Sequence, residues 1–251
     1  MRKSFAALIL CLLNAGQVYA APDQGALAAF VQGEYEHAAN IAAAKGGAEN
    51  LALAARALNA DAYLQSDDKV ARKLAKQALE YAEIAIEADH ALVEAHLQAA
   101  ISLAQRGSRM AALRAFFLGI AGRAREELDS ALACEPSNAW ALSSSAAWHL
   151  EVARRVGEGR YGSDSSLGYQ QFAKARASDP DNLLIAYECA LRLLAFDKPE
   201  WRTDGLNALF QAAEGRPTDA FERAIQERAV KLLAAVKAGR EAERAFIDVQ
   251  P

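Results

Sequence analysis

Prolines, cysteines and histidines are scarce in this sequence: its 251 residues include six prolines, three cysteines and four histidines. Three cysteines do not make the disulfide scaffold that small folds use in place of a core. Cys134 and Cys189 have no second cysteine two or four residues away, and no His-Glu-x-x-His pair occurs. The sequence therefore predicts no metal site and no cofactor.

The sequence also lacks an excess of basic residues and a long apolar run. Its formal charge is −4 and its pI is about 5.7, so we expect no nucleic-acid partner. No segment after the N-terminal 20 residues reaches the roughly 18 apolar residues that span a bilayer, so we expect no stable membrane insertion. The most apolar segment, 110–122, is predicted to fold onto the core, although a contact with a membrane surface is the alternative.

Helix formers, by contrast, are abundant. The chain is 53% hydrophobic, which allows a sizeable core, and alanine dominates this apolar set. Alanine has the best helix propensity and β-branched residues are sparse, so closely packed helices are favoured over sheet.

The N-terminus has the pattern of a secretory signal peptide. Arg2 and Lys3 precede an apolar run over 5–13, and Val18 and Ala20 form a small-residue cleavage pattern. We predict cleavage after Ala20, so that 1–20 is removed and the mature protein is periplasmic.

One spacing recurs along the chain: a small residue, an apolar residue four later, alanine three later, and proline five after that. The sets are Ala124, Leu128, Ala131 and Pro136; Gly168, Phe172, Ala175 and Pro180; Gly205, Leu209, Ala212 and Pro217; and, in degenerate form, Ala78, Ala82, Ala85 and His90. Small residues allow two helices to approach closely, and proline ends a helix.

This spacing resembles the second helix of the tetratricopeptide repeat (TPR), a helix-turn-helix unit of about 34 residues. The small residue that the family has in its first helix is present as Ala100, Ala146 and Ala190. The resemblance implies an all-α fold, a right-handed α-solenoid of irregular TPR-like helix pairs with inserted loops. We expect one domain over 21–240, a capping helix over 218–239 and a flexible tail over 241–251.

The stretch 91–182 resembles, in its insertions, the irregular TPR domain of the regulator-of-microtubule-dynamics family. It is also similar to bacterial TPR proteins associated with TRAP transporters, which makes an envelope transporter component one candidate partner. In TPR arrays, set positions of the first helices line a concave groove, and the resemblance transfers this role to ten residues. They are Glu94, Leu97, Ile101, Trp140, Ser143, Leu150, Glu151, Leu184, Tyr187 and Leu191. This set is apolar for a surface facing water, so the groove either takes a ligand or is covered by the chain's own C-terminal helix.

Two motifs that could indicate catalysis have a structural interpretation instead. His149 and Glu151 lie two residues apart, about 200° around a helix, so they cannot converge on one ion. His149 falls at a position that faces the partner helix, and we expect it in the core. The stretch 157–162 (GEGRYG) matches a dinucleotide motif in letters, but a helical pattern and not a strand precedes it, so it is predicted to be a loop. We therefore predict no catalytic residues and no enzymatic activity.

These observations favour a non-catalytic exported adaptor or scaffold that binds a protein or peptide partner through the concave face. The alternative is an accessory protein of an envelope transporter that binds an apolar small ligand or lipid in the same groove. The sequence leaves the identity of the partner and the oligomeric state open.

Overall fold

The computed structural model describes residues 21–110, 115, 118–196 and 198–250. Within these ranges the protein is all-α: it has twelve α-helices, is 81% helical and contains no strand. Within each of the two units described below, neighbouring helices pack in chain order, as in an α-solenoid, which confirms the predicted fold class. The predicted signal peptide, 1–20, lies outside the described residues.

The chain divides into two compact units, 1–136 and 137–251, where the sequence predicts one domain over 21–240. The division follows Pro136, the proline that ends one of the predicted repeats.

The first unit contains six helices that pack as consecutive pairs. They are α1 (Gln24–Gln32), α2 (Tyr35–Lys45), α3 (Ala48–Leu64), α4 (Asp68–Ala88), α5 (Val93–Ser108) and α6 (Ile120–Cys134). Each helix packs against the next one in the chain, and α3 also packs against α5, the first helix of the following pair. This pattern of contacts is the one a helical repeat requires, because each pair covers the apolar face of its neighbour.

The second unit repeats the arrangement with six further helices. They are α7 (Ala139–Arg155), α8 (Ser165–Ser178), α9 (Leu183–Leu194), α10 (Pro199–Glu214), α11 (Ala220–Ala238) and α12 (Arg240–Asp248). A short 3₁₀ turn, Arg160–Gly162, lies in the loop between α7 and α8. The first helices of successive pairs, α7, α9 and α11, pack against one another in that order.

The residues of the recurring spacing lie where the helices of a pair meet. Every small, apolar and alanine position of the four sets is buried in α4, α6, α8 and α10. At Gly168 a Cβ atom would lie 3.0 Å from the Ala146 carbonyl oxygen and 3.0 Å from the His149 Cβ. The predicted small positions of the two helices, Gly168 and Ala146, therefore face each other, and the close approach needs the missing side chain.

The turn after each repeat proline also starts the next pair. Two residues after Pro136, the Asn138 side chain accepts a hydrogen bond from the Ala141 N–H at 3.0 Å and caps α7. Two residues after Pro180, Asn182 caps α9 in the same way, at 3.0 Å from the Ile185 nitrogen. The proline stops one helix and the asparagine satisfies an unpaired N–H of the following one.

The C-terminal residues differ from the expectation. The predicted capping helix is present as α11, capped by Asp219 and ended by Gly239. Where we expected a flexible tail over 241–251, however, the structure has the helix α12, with Glu243 and Ile247 buried. The reason is tertiary: a buried carboxylate is stabilised only when cations from elsewhere in the fold reach it, and the sequence of the tail does not show them.

Candidate functional site

The ten predicted groove residues are divided between the two units. Three of them lie on α5 in the first unit, and the other seven lie on α7 and α9 in the second. The first unit has Glu94, Leu97 and Ile101; the second has Trp140, Ser143, Leu150, Glu151, Leu184, Tyr187 and Leu191.

In the first unit, α5 packs against α3 through polar residues next to the three predicted groove positions. Leu97 is buried, whereas Glu94 and Ile101 are half-buried, and Glu94 accepts a hydrogen bond from the Gln98 amide at 3.1 Å. The Asn59 amide of α3 in turn donates to the Gln98 carbonyl at 3.0 Å and to its side-chain oxygen at 2.9 Å. Ser102 donates to the Asn59 side-chain oxygen at 3.0 Å. These buried polar contacts fix the register of α3 against α5.

In the second unit, the predicted groove set is mostly covered. Ser143, Leu150, Tyr187 and Leu191 are buried. Trp140, Glu151 and Leu184 are half-buried. The C-terminal segment, which we define as residues 240–250, contributes to this cover: the Tyr187 hydroxyl donates to the side-chain oxygen of Gln250 at 3.5 Å.

Glu151 is the centre of a charged cluster on α7 and α9. Its carboxylate forms ion pairs with Arg154 at 3.0 Å, with Arg192 at 3.1 Å, and with Arg155. Burial by itself raises the pKa of Glu151, but the three guanidinium groups outweigh it and hold the pKa below its usual range. The carboxylate is therefore anionic and is a ligand for arginines of its own fold.

Arg154 connects this cluster to the C-terminal segment. Its second amino group lies 3.2 Å from the Asp248 carboxylate of α12. At the other end of the segment, Arg202 of α10 donates two hydrogen bonds to Glu243, at 2.7 and 2.9 Å, and Arg240 donates one at 2.8 Å. Such a two-pronged arginine–carboxylate contact fixes both the position and the direction of the partner.

The chain neighbour of Arg202, Trp201, belongs to an aromatic stack at the start of α10. The ring of Trp201 stacks on Tyr169 of α8 with centroids 5.1 Å apart, and the Lys198 ammonium lies 3.6 Å from the Trp201 centroid. The Tyr169 hydroxyl donates to Asp204, and this hydrogen bond is the main reason why the pKa of Tyr169 rises to about 12. The N-terminal turn of α10 is thus anchored, and Arg202 extends from it toward Glu243.

We name the surface that holds the C-terminal segment the receptor face and define it by Arg154, Tyr187 and Arg202. It combines two arginines that bind acidic side chains with Tyr187 of α9, whose hydroxyl donates to Gln250. Sequence reasoning included Tyr187 in the groove but missed both arginines. The available signal was the position of Arg154 three residues after Glu151, whereas Arg202 lies on a second helix of a pair and has no sequence signal for a groove role.

His149 is fully buried, as a core position requires. Its Nδ1 accepts a hydrogen bond from the Asp164 N–H at 2.9 Å, at the point where α8 begins. The rings of His149 and the neighbouring Trp148 form a T-shaped pair, with centroids 5.1 Å apart. The His149–Glu151 pair therefore separates in space: one residue orders the start of α8, and the other binds arginines.

A histidine–carboxylate pair that sequence reasoning missed lies in the first unit. His96 Nδ1 is 2.6 Å from the Glu127 carboxylate, and its Nε2 donates to the His90 carbonyl at 3.0 Å. Burial by itself lowers the pKa of His96, but these two hydrogen bonds, together with the negative charges of Glu127 and Asp89, outweigh it and raise the pKa above its ordinary value. Both ring nitrogens are engaged by protein groups, so the pair joins α5 to α6.

The remaining motifs have ordinary structural surroundings. Neither Cys134 nor Cys189 forms a disulfide within the described residues, and burial raises the pKa of Cys189 to about 12, which keeps its thiol protonated. The stretch 157–162 is a loop that follows helix α7, and Tyr161 has a left-handed backbone there, with φ 54°. Six of the thirteen residues of the apolar segment 110–122, namely 111–114, 116 and 117, lie outside the described residues; Leu118 is exposed and Ile120 is buried.

The described part of the chain was also compared with the requirements of a metal site and of a membrane-spanning helix. No group of three or more histidine, cysteine, aspartate or glutamate side chains there is arranged to hold a metal ion. No helix there combines the length and the apolar character that crossing a bilayer requires.

Comparison with known proteins assigns this chain to no family. No protein-family model matches this chain, and no curated protein is significantly similar to it.

Proposed function

We propose that this protein is an exported, non-catalytic TPR-like adaptor that binds a protein or peptide partner. The second unit would supply the binding surface through α7 and α9. The repeated helix pairs support this proposal, because arrays of this kind bury their own core in the pairs and leave the first helices to face a ligand. The TPR-like character itself rests on the recurring spacing and on the helix pairs that carry it.

One observation carries the proposal: a helical segment of polypeptide is already bound on this surface. The C-terminal segment contacts α7 through Arg154, α9 through Tyr187 and α10 through Arg202. A groove that holds one amphipathic helix by side-chain contacts has the chemistry to hold another, since helix-in-groove recognition uses the same ion pairs and aliphatic anchors.

The test is site-specific photo-crosslinking in cells that express the full chain. A photoreactive amino acid replaces Trp140 or Leu184, the two half-buried apolar groove residues of α7 and α9. The matched control replaces Phe210, an exposed aromatic residue on α10 in the same unit. We expect discrete protein adducts from the first two positions and none from the control.

The outcomes separate the candidate functions. Absence of protein adducts, or the same adducts from Phe210, would contradict the adaptor proposal. Adducts of lipid mass in place of protein would instead favour the apolar-ligand alternative. The proposed compartment has its own test: the intact mass of the protein from a periplasmic extract should correspond to a chain that begins at Ala21.

A further inference from the structure

The C-terminal segment is held by unusually little buried surface. Of the nine residues of α12, only Glu243 and Ile247 are buried. The preceding helix α11, by comparison, buries Phe221, Ile225 and two further apolar residues. A nine-residue helix is not stable in isolation, and the exposed Arg154–Asp248 ion pair contributes little. The closed position of α12 therefore depends mainly on Glu243 and Ile247, and α12 is among the first elements expected to open.

The connection to α11 allows α12 to move as a unit. A single residue, Gly239, separates the two helices, with φ 117° and ψ 172°, and a Cβ atom there would meet nothing within 4 Å. This conformation is one that residues with a side chain rarely adopt, so the closed position of α12 depends on glycine. Rotation about this one residue would release α12 by breaking its packing against α11.

The contacts of the segment define the ligand that its surface recognises. Glu243 meets Arg202, Ile247 is buried four residues later, and Asp248 meets Arg154. Residues four apart lie on the same side of a helix, so the receptor face recognises an acid–aliphatic–acid pattern over little more than one turn.

We propose that the C-terminal segment is an internal ligand that occupies the receptor face until a partner displaces it. The partner would be an acidic amphipathic helix with a carboxylate, an aliphatic residue four positions later and a second carboxylate next to it. This inference rests on the proposed adaptor function and assigns both its partner chemistry and its regulation. Because the segment is tethered, it competes at a high effective concentration, and the full chain presents its site only for the fraction of time that α12 is open.

The test measures binding of a fluorescent peptide, residues 240–251, to the protein in trans by anisotropy. The receptors are the full chain, a chain ending at Gly239, and the full chain with Gly239→Ala. The truncated chain is expected to bind the peptide at least about tenfold more tightly than the full chain, which corresponds to an open fraction of about one tenth or less. Gly239→Ala should fall between them, because it strains the closed turn and keeps every side-chain contact.

Two matched arginine variants of the truncated chain test the assigned contacts. Arg202→Gln should weaken peptide binding by about tenfold or more, because it removes both hydrogen bonds to Glu243. Arg223→Gln, a change of an exposed arginine on α11, should leave binding within about twofold. A peptide of scrambled sequence should not bind.

The result that overturns the inference is equal peptide affinity for the full and truncated chains, or no binding by a truncated chain whose far-ultraviolet circular dichroism is native-like. If the truncated chain does not fold, Gly239→Ala decides alone: affinity no greater than that of the full chain contradicts the proposal. Failure here is distinct from failure of the adaptor proposal, because crosslinking at Trp140 and Leu184 is independent of the peptide. Adducts at Trp140 and Leu184 without peptide binding would contradict only the internal-ligand proposal. Peptide binding without adducts would contradict the adaptor proposal.

Discussion

Replacing Gly168 by alanine tests whether the recurring small residue exists for close helix packing. Gly168 lies in α8, where its Cβ would meet the Ala146 carbonyl oxygen at 3.0 Å, the His149 Cβ at 3.0 Å and the Leu150 Cγ at 3.1 Å. Two opposing effects decide the sign of the change in stability. Alanine in a helix gains about 0.5–1 kcal/mol over glycine, whereas forcing an extra carbon into a well-packed contact costs about 1–3 kcal/mol.

At Gly168 the cost of overpacking should exceed the gain in helix propensity, because one of the three neighbouring atoms belongs to the backbone. A carbonyl oxygen within a helix cannot move aside as a flexible side chain does, so α8 must shift away from α7. We expect a net loss of up to about 2 kcal/mol in the free energy of unfolding. The free energy of unfolding changes by about 1–3 kcal/mol per molar urea, so the decrease in the unfolding midpoint should lie between several tenths of a molar and about 2 M.

Two other helical glycines provide matched controls. Gly122 lies in the first turn of α6 with nothing within 4 Å of its Cβ position, so Gly122→Ala should raise the midpoint. Gly205 would meet the flexible side chain of Leu194 at 3.2 Å, so Gly205→Ala should fall between the two. Stabilisation by Gly168→Ala equal to that by Gly122→Ala would refute the close-packing account of the recurring spacing.

Three further substitutions have defined outcomes. His149→Leu keeps the apolar volume but leaves the Asp164 N–H without its acceptor, so we expect a loss of about 1 kcal/mol in urea unfolding; an unchanged midpoint would mean that water replaces the imidazole. The pKa of His96 is raised in the folded protein, so the stability it contributes is fully present below its ordinary pKa and is lost as pH rises through the raised value. Glu127→Gln should accordingly lower the urea midpoint most near pH 5 and least near about pH 9, and a pH-independent difference would contradict this reasoning. The left-handed backbone conformation at Tyr161 costs a non-glycine residue about 1–2 kcal/mol. Tyr161→Gly removes this cost and should raise the urea midpoint, although glycine makes the unfolded chain more flexible. A lower midpoint would show that the tyrosine ring makes stabilising contacts.

The all-α fold and the positions of its pairs could be predicted from the sequence because they depend on local chemistry. Alanine-rich periodicity sets the helices, a proline ends one pair, and an asparagine two residues later caps the next, as at Pro136 and Asn138. The small positions follow from the same spacing, since two backbones approach closely only where side chains are absent. His149 could be assigned to the core for this reason, from its register within α7 alone.

The candidate site, by contrast, was decided by tertiary structure. The residues 240–250 have a charged sequence, and nothing in it shows that Arg202, some forty positions away, neutralises Glu243 in the core. Burying a carboxylate is unfavourable unless a cation from another helix pairs with it. The local sequence therefore favours a solvated tail, whereas the contacts of the fold stabilise these residues as a helix. The same holds for Glu151, where Arg192 arrives from α9. Local patterns determine which residues form helices, whereas the pairing of charges between distant helices determines which surface is open and which is occupied.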